Sequence, residues 1–436
     1  MKRFKALSLL LASALLLAGC GSTNREAEKE PASSGGTKTI KFMHLWPEGT
    51  NAAQNKMLNE IIDDFERENP GIKIEQEILA NEQYKDKIKV LSASNQLPDV
   101  GMAWPGGWLQ PYVQGNKIAS FDDVIDRDYR SKFVDGTLEV FEVNGKTYGL
   151  PTDLNIAIVY YNKRIFEQNG LNVPTTYDEF LHVIKTLTNN GITPIALGNQ
   201  ERWTGSLWYM YLADRISGNE TIVNAVNRKQ SFEDPTLIRA AEEIQRLVDL
   251  GAFQKGYNGA TSSEAESLFT SGQAAMYLTG TWVLPSFTQS ENFTQEFKDS
   301  VDYFKFPTVE GGKGNINSFV GGNGGLFVSE HSDVKEEAKR FVKYFTEKFG
   351  ERALGEAGII PSYKLNADDY DLPELYLKVL KDLNDASSIT LFADNIMTPG
   401  PAQVHLDMIQ SLFGKEATPE EFAKTHEEAL AKEAGE

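Results

Sequence analysis

The chain has 436 residues, 41% apolar and 11% aromatic, enough to bury the cores of two domains by hydrophobic packing. Asp and Glu outnumber Lys and Arg by 62 to 43, and the resulting formal charge of −19 excludes a phosphate-backbone partner such as nucleic acid. The acids are interspersed with lysines along the expected helices, which suits a soluble surface.

The first twenty residues hold the one cysteine. A basic start (Lys2, Arg3, Lys5) leads into an apolar run from Ala6 to Ala18. That run is too short to span a bilayer as a helix but has the length of a secretory h-region. It closes on Leu17-Ala18-Gly19-Cys20, which resembles the lipobox of bacterial lipoprotein signals. The resemblance implies a signal peptide over residues 1–19, lipidation of Cys20, and anchoring on the extracytoplasmic face of the cell membrane. A lipidated Cys20 leaves no thiol for a disulfide, a zinc site or a nucleophile. No later stretch reaches the length of a membrane-spanning helix.

Residues 20–37 are polar, with Ser and Gly, and read as a flexible tether. Order is expected from Lys38. Ile40, Phe42 and His44 alternate as a strand would; Leu58, Ile61, Ile62 and Phe65 form a helical stripe that Asn69-Pro70-Gly71 stops; Ile72, Ile74 and Ile78 alternate again. Strand, helix and strand in this order predict a parallel sheet with helices on its faces. Thr176-Tyr177-Asp178-Glu179 reads as a capping box opening a helix that ends near Gly191. Ser332 is expected to cap a helix with Val334, Ala338, Phe341 and Phe345 on one face. The fold class is α/β.

The chain carries no catalytic or metal signature. Its histidines (His44, His182, His331, His405, His426) are scattered, with no His-Glu-x-x-His and no Gly-x-Ser-x-Gly. The stretch Gly321-Gly322-Asn323-Gly324-Gly325 lacks the lysine and hydroxyl of a phosphate loop, and Asp368, Asp369 and Asp371 lack a calcium-loop glycine. No cofactor is implied. A glycosidase needs only two carboxylates, so a lipid-anchored glycan-active enzyme stays open at this level.

Four ordered segments resemble the carbohydrate-binding lipoproteins of bacterial ABC importers, relatives of the maltose-binding protein. They are Gly145-Lys146-Thr147-Tyr148-Gly149-Leu150-Pro151 with the following Tyr160-Tyr161-Asn162-Lys163; Pro174 to Phe180, where Tyr177 replaces the usual tryptophan; Phe269 to Trp282 (FTSGQAAMYLTGTW); and Gly321 to Val328 with the helix after it. The resemblance spans Lys38 to the last helix. It implies two α/β lobes joined by hinge-crossing strands, with the ligand in the cleft between them. Crossings are expected near 151–155, at Phe306-Pro307-Thr308, and at Gly358 to Pro361. The lobes would then be 38–152 with 308–358, and 153–307 with 359–436. The implied role is capture of an oligosaccharide, as a monomer, and its delivery to an ABC permease. Hinge closure around the ligand would mark the loaded state.

A sugar presents C–H faces, which aromatic rings meet, and hydroxyls, which amides and carboxylates meet with paired hydrogen bonds. Trp46 and Glu48 follow the first strand; Trp104 follows Leu97-Pro98-Asp99-Val100; Asp153 and Asn155 interrupt the apolar crossing strand. The resemblance adds Trp203, at a loop where relatives stack a ligand, and Trp282, at the Gly-x-Trp position. Gly322 allows close approach, and Asn323 can donate and accept. Asn395 is a further candidate. Core packing competes for Trp46 and Trp104, and hydrogen bonding within the hinge competes for Asp153 and Asn155. Trp108, Trp208 and Tyr211 read as core. A polyamine or ferric ion in the same fold is the alternative ligand. Tyr160-Tyr161 hints at iron, but neighbours on a strand face opposite ways.

Overall fold

The computed structural model describes residues 36–46 and 52–436. Cys20, the signal segment, most of the tether and Glu48 lie outside the described residues. Chain order opens as the apolar spacing predicts. Strand β1 (Lys38–His44) buries Ile40, Phe42 and His44, and the helix Ala52–Glu68 buries Leu58, Ile61, Ile62 and Phe65. Strand β2 (Ile72–Ile78) runs parallel to β1 in the register Lys38↔Ile72, and β3 (Val100–Ala103) joins the other side of β1. β2 is the sheet edge, so of its three isoleucines only Ile72 is fully buried, and Ile78 is exposed.

Two short strands, β4 (Glu142–Val143) and β5 (Lys146–Thr147), form a hairpin across Asn144-Gly145, whose φ values of 52° and 75° are those the tightest hairpin turns require. It feeds the long strand β6 (Leu150–Asn162). Further strands are β7 (Thr193–Ala196), β8 (Ala274–Gly280), β9 (Val301–Phe304), β10 (Ser318–Val328) and β11 (Ser388–Leu391). The main sheet runs β2-β1-β3-β10-β6-β8-β7, with β11 on β10 and β9 on β6. β6 changes partners midway. Leu150 to Ile156 pair with β10, whereas Ala157 to Asn162 pair with β8 and β9.

That switch marks a change of core. Leu150 packs with Phe42, Phe65, Leu326, Phe341 and Phe345. Beyond Asn155 the side chains alternate between two further cores. Ala157, Val159 and Tyr161 join Phe180, Trp208, Tyr211 and Phe306; Ile156, Ile158 and Tyr160 join Phe269, Tyr277, Phe287 and Tyr376. Tyr160 and Tyr161 therefore face apart, as strand alternation demands. β10 makes the reverse passage, from Phe319 and Val320 in these two cores to Leu326, Phe327 and Val328 in the first. A third segment lies alongside, where Leu154 N–H donates to Ile360 O (3.0 Å) and Ser362 N–H to Thr152 O (3.0 Å). Phe306 packs in the core of Phe180 and Trp208, its ring stacked on Tyr211 at 4.9 Å.

The capping box forms at Thr176 and Glu179, opening the helix Tyr177–Asn189. Ser332, by contrast, does not cap its helix. The helix Lys335–Ala357 starts after Val334, and the Ser332 hydroxyl donates to Asp99 (2.5 Å), just before β3, while accepting from Val334 N–H. The expected face is intact, with Ala338, Phe341 and Phe345 buried. Among the described residues no helix is long and apolar enough to cross a membrane.

Candidate functional site

Three of the predicted tryptophans meet. A cavity of about 230 Å3 is lined by Trp46 and Gln54 from the β1 side and by Trp203, Trp282, Tyr277 and Glu266 from the β8 side. Serine and threonine hydroxyls of Ser262, Ser263, Thr279 and Ser286 complete the wall. The cavity thus lies between the first core and the other two, and it combines ring faces with polar groups, the mixture a polyol needs.

Each ring is held by its own local device. Trp46 lies nearly parallel to Phe345 (5.9 Å, 12°) and Phe349, so one face is committed to the core. Its backbone N–H donates to His44 Nδ1 (3.3 Å), while His44 Nε2–H donates to Gln76 Oε1 (3.0 Å). That pattern needs a neutral imidazole, and burial pushes the His44 pKa down to about 4. Trp203 opens the helix Trp203–Ser217 directly after Arg202, whose φ of 67° is rare for a bulky residue. Buried Asn199 holds this turn: its carbonyl accepts from Arg202 N–H and its side-chain oxygen from Gly205 N–H (3.1 Å). Strain concentrated beside an aromatic rim is the pattern expected of a ligand clamp. Trp282 stands edge-on to Trp203 (5.7 Å) and Phe392 (6.0 Å) and is 39% exposed.

The other predicted residues sit elsewhere. Trp104 is half-buried between Tyr84 and Trp108, with Lys85 Nζ 5.2 Å from its ring centre; the same ammonium pairs with Asp394 (3.0 Å). Asp153, Asn155 and Asn323 lie together where β6, β10 and residues 360–362 run side by side. The Asn155 amide donates to Asp153 and its oxygen accepts from Thr281 (3.1 Å). Asn323 donates to Asp153 O (3.2 Å) and Ser362 Oγ (2.9 Å). Thr152 donates to Asp153 Oδ1 (2.7 Å); burial raises the Asp153 pKa and these donors oppose it. Gly322 has room for a side chain, whereas a Cβ on Gly321 would overlap Asn155 O and one on Gly324 would sit 2.6 Å from Asp153 Oδ1. Asn395 is buried near the Gly106–Trp108 turn, its carbonyl so close to Gly106 that a Cβ would lie 2.6 Å away. The sequence offered no reason to single out Glu266 or Gln54 for the cavity, or His44 as the support of Trp46. Glu266 sits in the helix Ser262–Thr270 two residues from Glu264, and only the turn of the helix separates their surroundings.

The chain resembles known proteins over most of its length. It is 29% identical over 355 residues to the multiple sugar-binding protein of Streptococcus mutans serotype c, covering 79% of this chain and 78% of that one. A solved structure described in connection with xylan utilization by the thermophilic bacterium Caldanaerobius polysaccharolyticus superposes with a TM-score of 0.84 at 32% identity, covering 89% of this chain and 99% of the other. A chitin oligosaccharide binding protein gives a TM-score of 0.85 at 26% identity, covering 92% and 100%. The fold shared with these structures is α/β and two-lobed, as the motifs implied. Residues 49–348 match the family described as bacterial extracellular solute-binding protein, and the chain belongs to that family.

Proposed function

We propose that this protein is the substrate-binding component of an ABC sugar importer, taking an oligosaccharide into the cavity between Trp46, Trp203 and Trp282 and presenting it to the membrane permease. The observation that carries the reading is that single cavity, walled by three tryptophans from separate stretches of chain and by hydroxyl and amide groups. The sugar-binding relatives support the ligand class. In this reading the chain is a receptor and not an enzyme, acting as a monomer. Its lobes meet at crossings within β6, within β10 and at residues 359–363, which moves the second crossing from 306–308 into β10. Asp153, Asn155 and Asn323 then serve as hinge groups, and Trp104 borders the cleft with its ring packed.

Cys20 is the lipid attachment point in the same reading, holding the protein outside the cell membrane. Cys20→Ser is expected to move the chain from the membrane fraction to the soluble fraction with sugar affinity unchanged; an unaltered membrane fraction rejects the anchor. The ligand class is tested by thermal shift of the purified protein with xylotriose, triacetylchitotriose, stachyose, spermidine and ferric ion. A ligand that binds only the folded state raises Tm with its concentration. A rise with one of the sugars supports the receptor reading, and a rise with spermidine or iron alone replaces its ligand.

A further inference from the structure

Among the described residues Glu266 is the one charged side chain in the cavity wall, and it is unlike the carboxylates around it. Glu264 accepts the Thr261 N–H (2.7 Å) and closes a capping box. Glu201 accepts the Ser262 N–H (3.0 Å) and the Ser262 hydroxyl (3.3 Å). Glu266 is half-buried and faces the cavity, and its carboxylate receives no hydrogen bond or ion pair among the described residues. Its charge is felt by Tyr277 on β8 and Tyr160 on β6, both neutral phenols held so by burial. Among the described residues no lysine or arginine lines the wall. Desolvation by burial is the sole cause acting on its pKa, and it raises it from the ordinary value. A carboxylate placed this way is costly in the empty protein and has strong acceptor capacity to spare, which an incoming donor can use.

We propose that Glu266 is the specificity-determining acceptor of this cavity, taking hydrogen bonds from hydroxyls of an uncharged sugar ring whose face lies against Trp282 or Trp203. The inference rests on the receptor reading above and deepens it. Two consequences follow from the charge. The ionised carboxylate accepts from two hydroxyls at once, whereas its protonated form gives up part of that capacity, so affinity falls on acidification. A sugar bearing its own carboxylate at this position is repelled, so neutral oligosaccharides are selected over uronates.

The test is calorimetric titration of the wild-type protein and Glu266→Gln with whichever of xylotriose, triacetylchitotriose and stachyose binds the wild type most tightly, from neutral to mildly acidic pH. The expected result is about a tenfold or greater loss of affinity in Glu266→Gln at neutral pH. Acid weakening is expected in the wild type alone. Melting curves report folding separately, and Glu266→Asp, which keeps the charge, serves if the amide variant is unstable; it should retain the pH dependence. Equal affinity in wild type and Glu266→Gln, or the same pH profile in both, overturns the inference while leaving the receptor reading intact. Preferential binding of deacetylated chitotriose, lost in Glu266→Gln, also overturns it by making the carboxylate the counter-ion of an amine. Failure of every sugar to bind the wild type overturns the receptor reading, and this inference with it.

Discussion

Trp282 depends on an atom that its neighbour lacks. A Cβ on Gly280 would overlap the six-membered ring of Trp282, so the ring can fold back over the strand end only because residue 280 is glycine. This gives the Gly-x-Trp spacing a physical meaning: the glycine seats the ring, and the ring lines the cavity. Trp282→Ala should weaken sugar binding by about 1–3 kcal/mol while the fold persists, because the ring is partly exposed and touches its aromatic neighbours by edges. Calorimetry beside a melting curve checks this; a large fall in Tm with affinity preserved would make Trp282 a packing residue. The opposite outcome is expected for Asn323. Its amide is committed to Asp153 O and Ser362 Oγ, so Asn323→Ala should cost about 1–3 kcal/mol of stability, seen in the urea midpoint. Sugar affinity of the folded variant should stay close to wild type; a selective binding loss would return Asn323 to the ligand.

At the level of elements, the hinge region is built by close approach and by a buried ion pair beneath it. Gly321 and Gly324 let β10 lie tightly against β6, Gly321 opposite Ile156 and against Asn155 O, Gly324 opposite Asp153. The start of β10 is then fastened to the helix Trp203–Ser217. Fully buried Arg215 donates to Phe306 O (3.0 Å), Ser318 O (2.9 Å) and the Asp214 carboxylate, which also accepts from the Ser318 hydroxyl (2.6 Å). Removing one partner strands the other charge in the core. Arg215→Ala should therefore destabilise by about 3–5 kcal/mol. Arg215→Lys should recover little of it, since one ammonium cannot span three acceptors set around a planar fork. Chemical denaturation measures both, and a loss below about 1 kcal/mol for Arg215→Ala would show that water reaches the site.

Across the whole molecule, buried neutral histidines set the response to acid. His426 Nδ1–H donates to Phe422 O (2.7 Å), His405 Nδ1–H to His426 Nε2 (2.8 Å), and the Ser206 hydroxyl to His405 Nε2 (2.7 Å). The terminal carbonyl can only accept, so each proton in the chain has one place, and neither ring can carry a second proton without breaking a bond. Burial holds the His405 pKa down to about 3 and His426 well below its ordinary value, as it does His44 under Trp46. Unfolded histidines titrate near 6.5, so below that pH the unfolded chain takes up protons that the folded chain refuses. Stability should be flat above about pH 6.5 and decline as pH falls toward 4, by about 3 kcal/mol from His44 alone. Urea midpoints across this range test it; a constant midpoint down to pH 5 would require these rings to be hydrated in the native state.

Much of the architecture was legible because its causes act over a few residues. The Thr176–Glu179 capping box, the Leu58 to Phe65 stripe and the alternation of Ile40, Phe42 and His44 along β1 each depend on spacings that the chain itself displays, and the four motifs carried the family with its two-lobed fold. What spacing does not contain is the identity of a distant partner. Trp46, Trp203 and Trp282 are scattered through the sequence yet share one cavity, whereas Trp104, equally well placed after a strand, is covered by Lys85. Ser332 was drawn from its expected cap to Asp99, and the exposed side of β2 follows from its place at the sheet edge. Glu264 and Glu266 are two residues apart on one helix, and one is satisfied by its own cap while the other faces an open cavity. Local interactions fix which elements form; whether a ring or a carboxylate is left unpartnered is decided by what the tertiary fold brings against it, because burial and hydrogen-bond satisfaction are properties of the assembled neighbourhood.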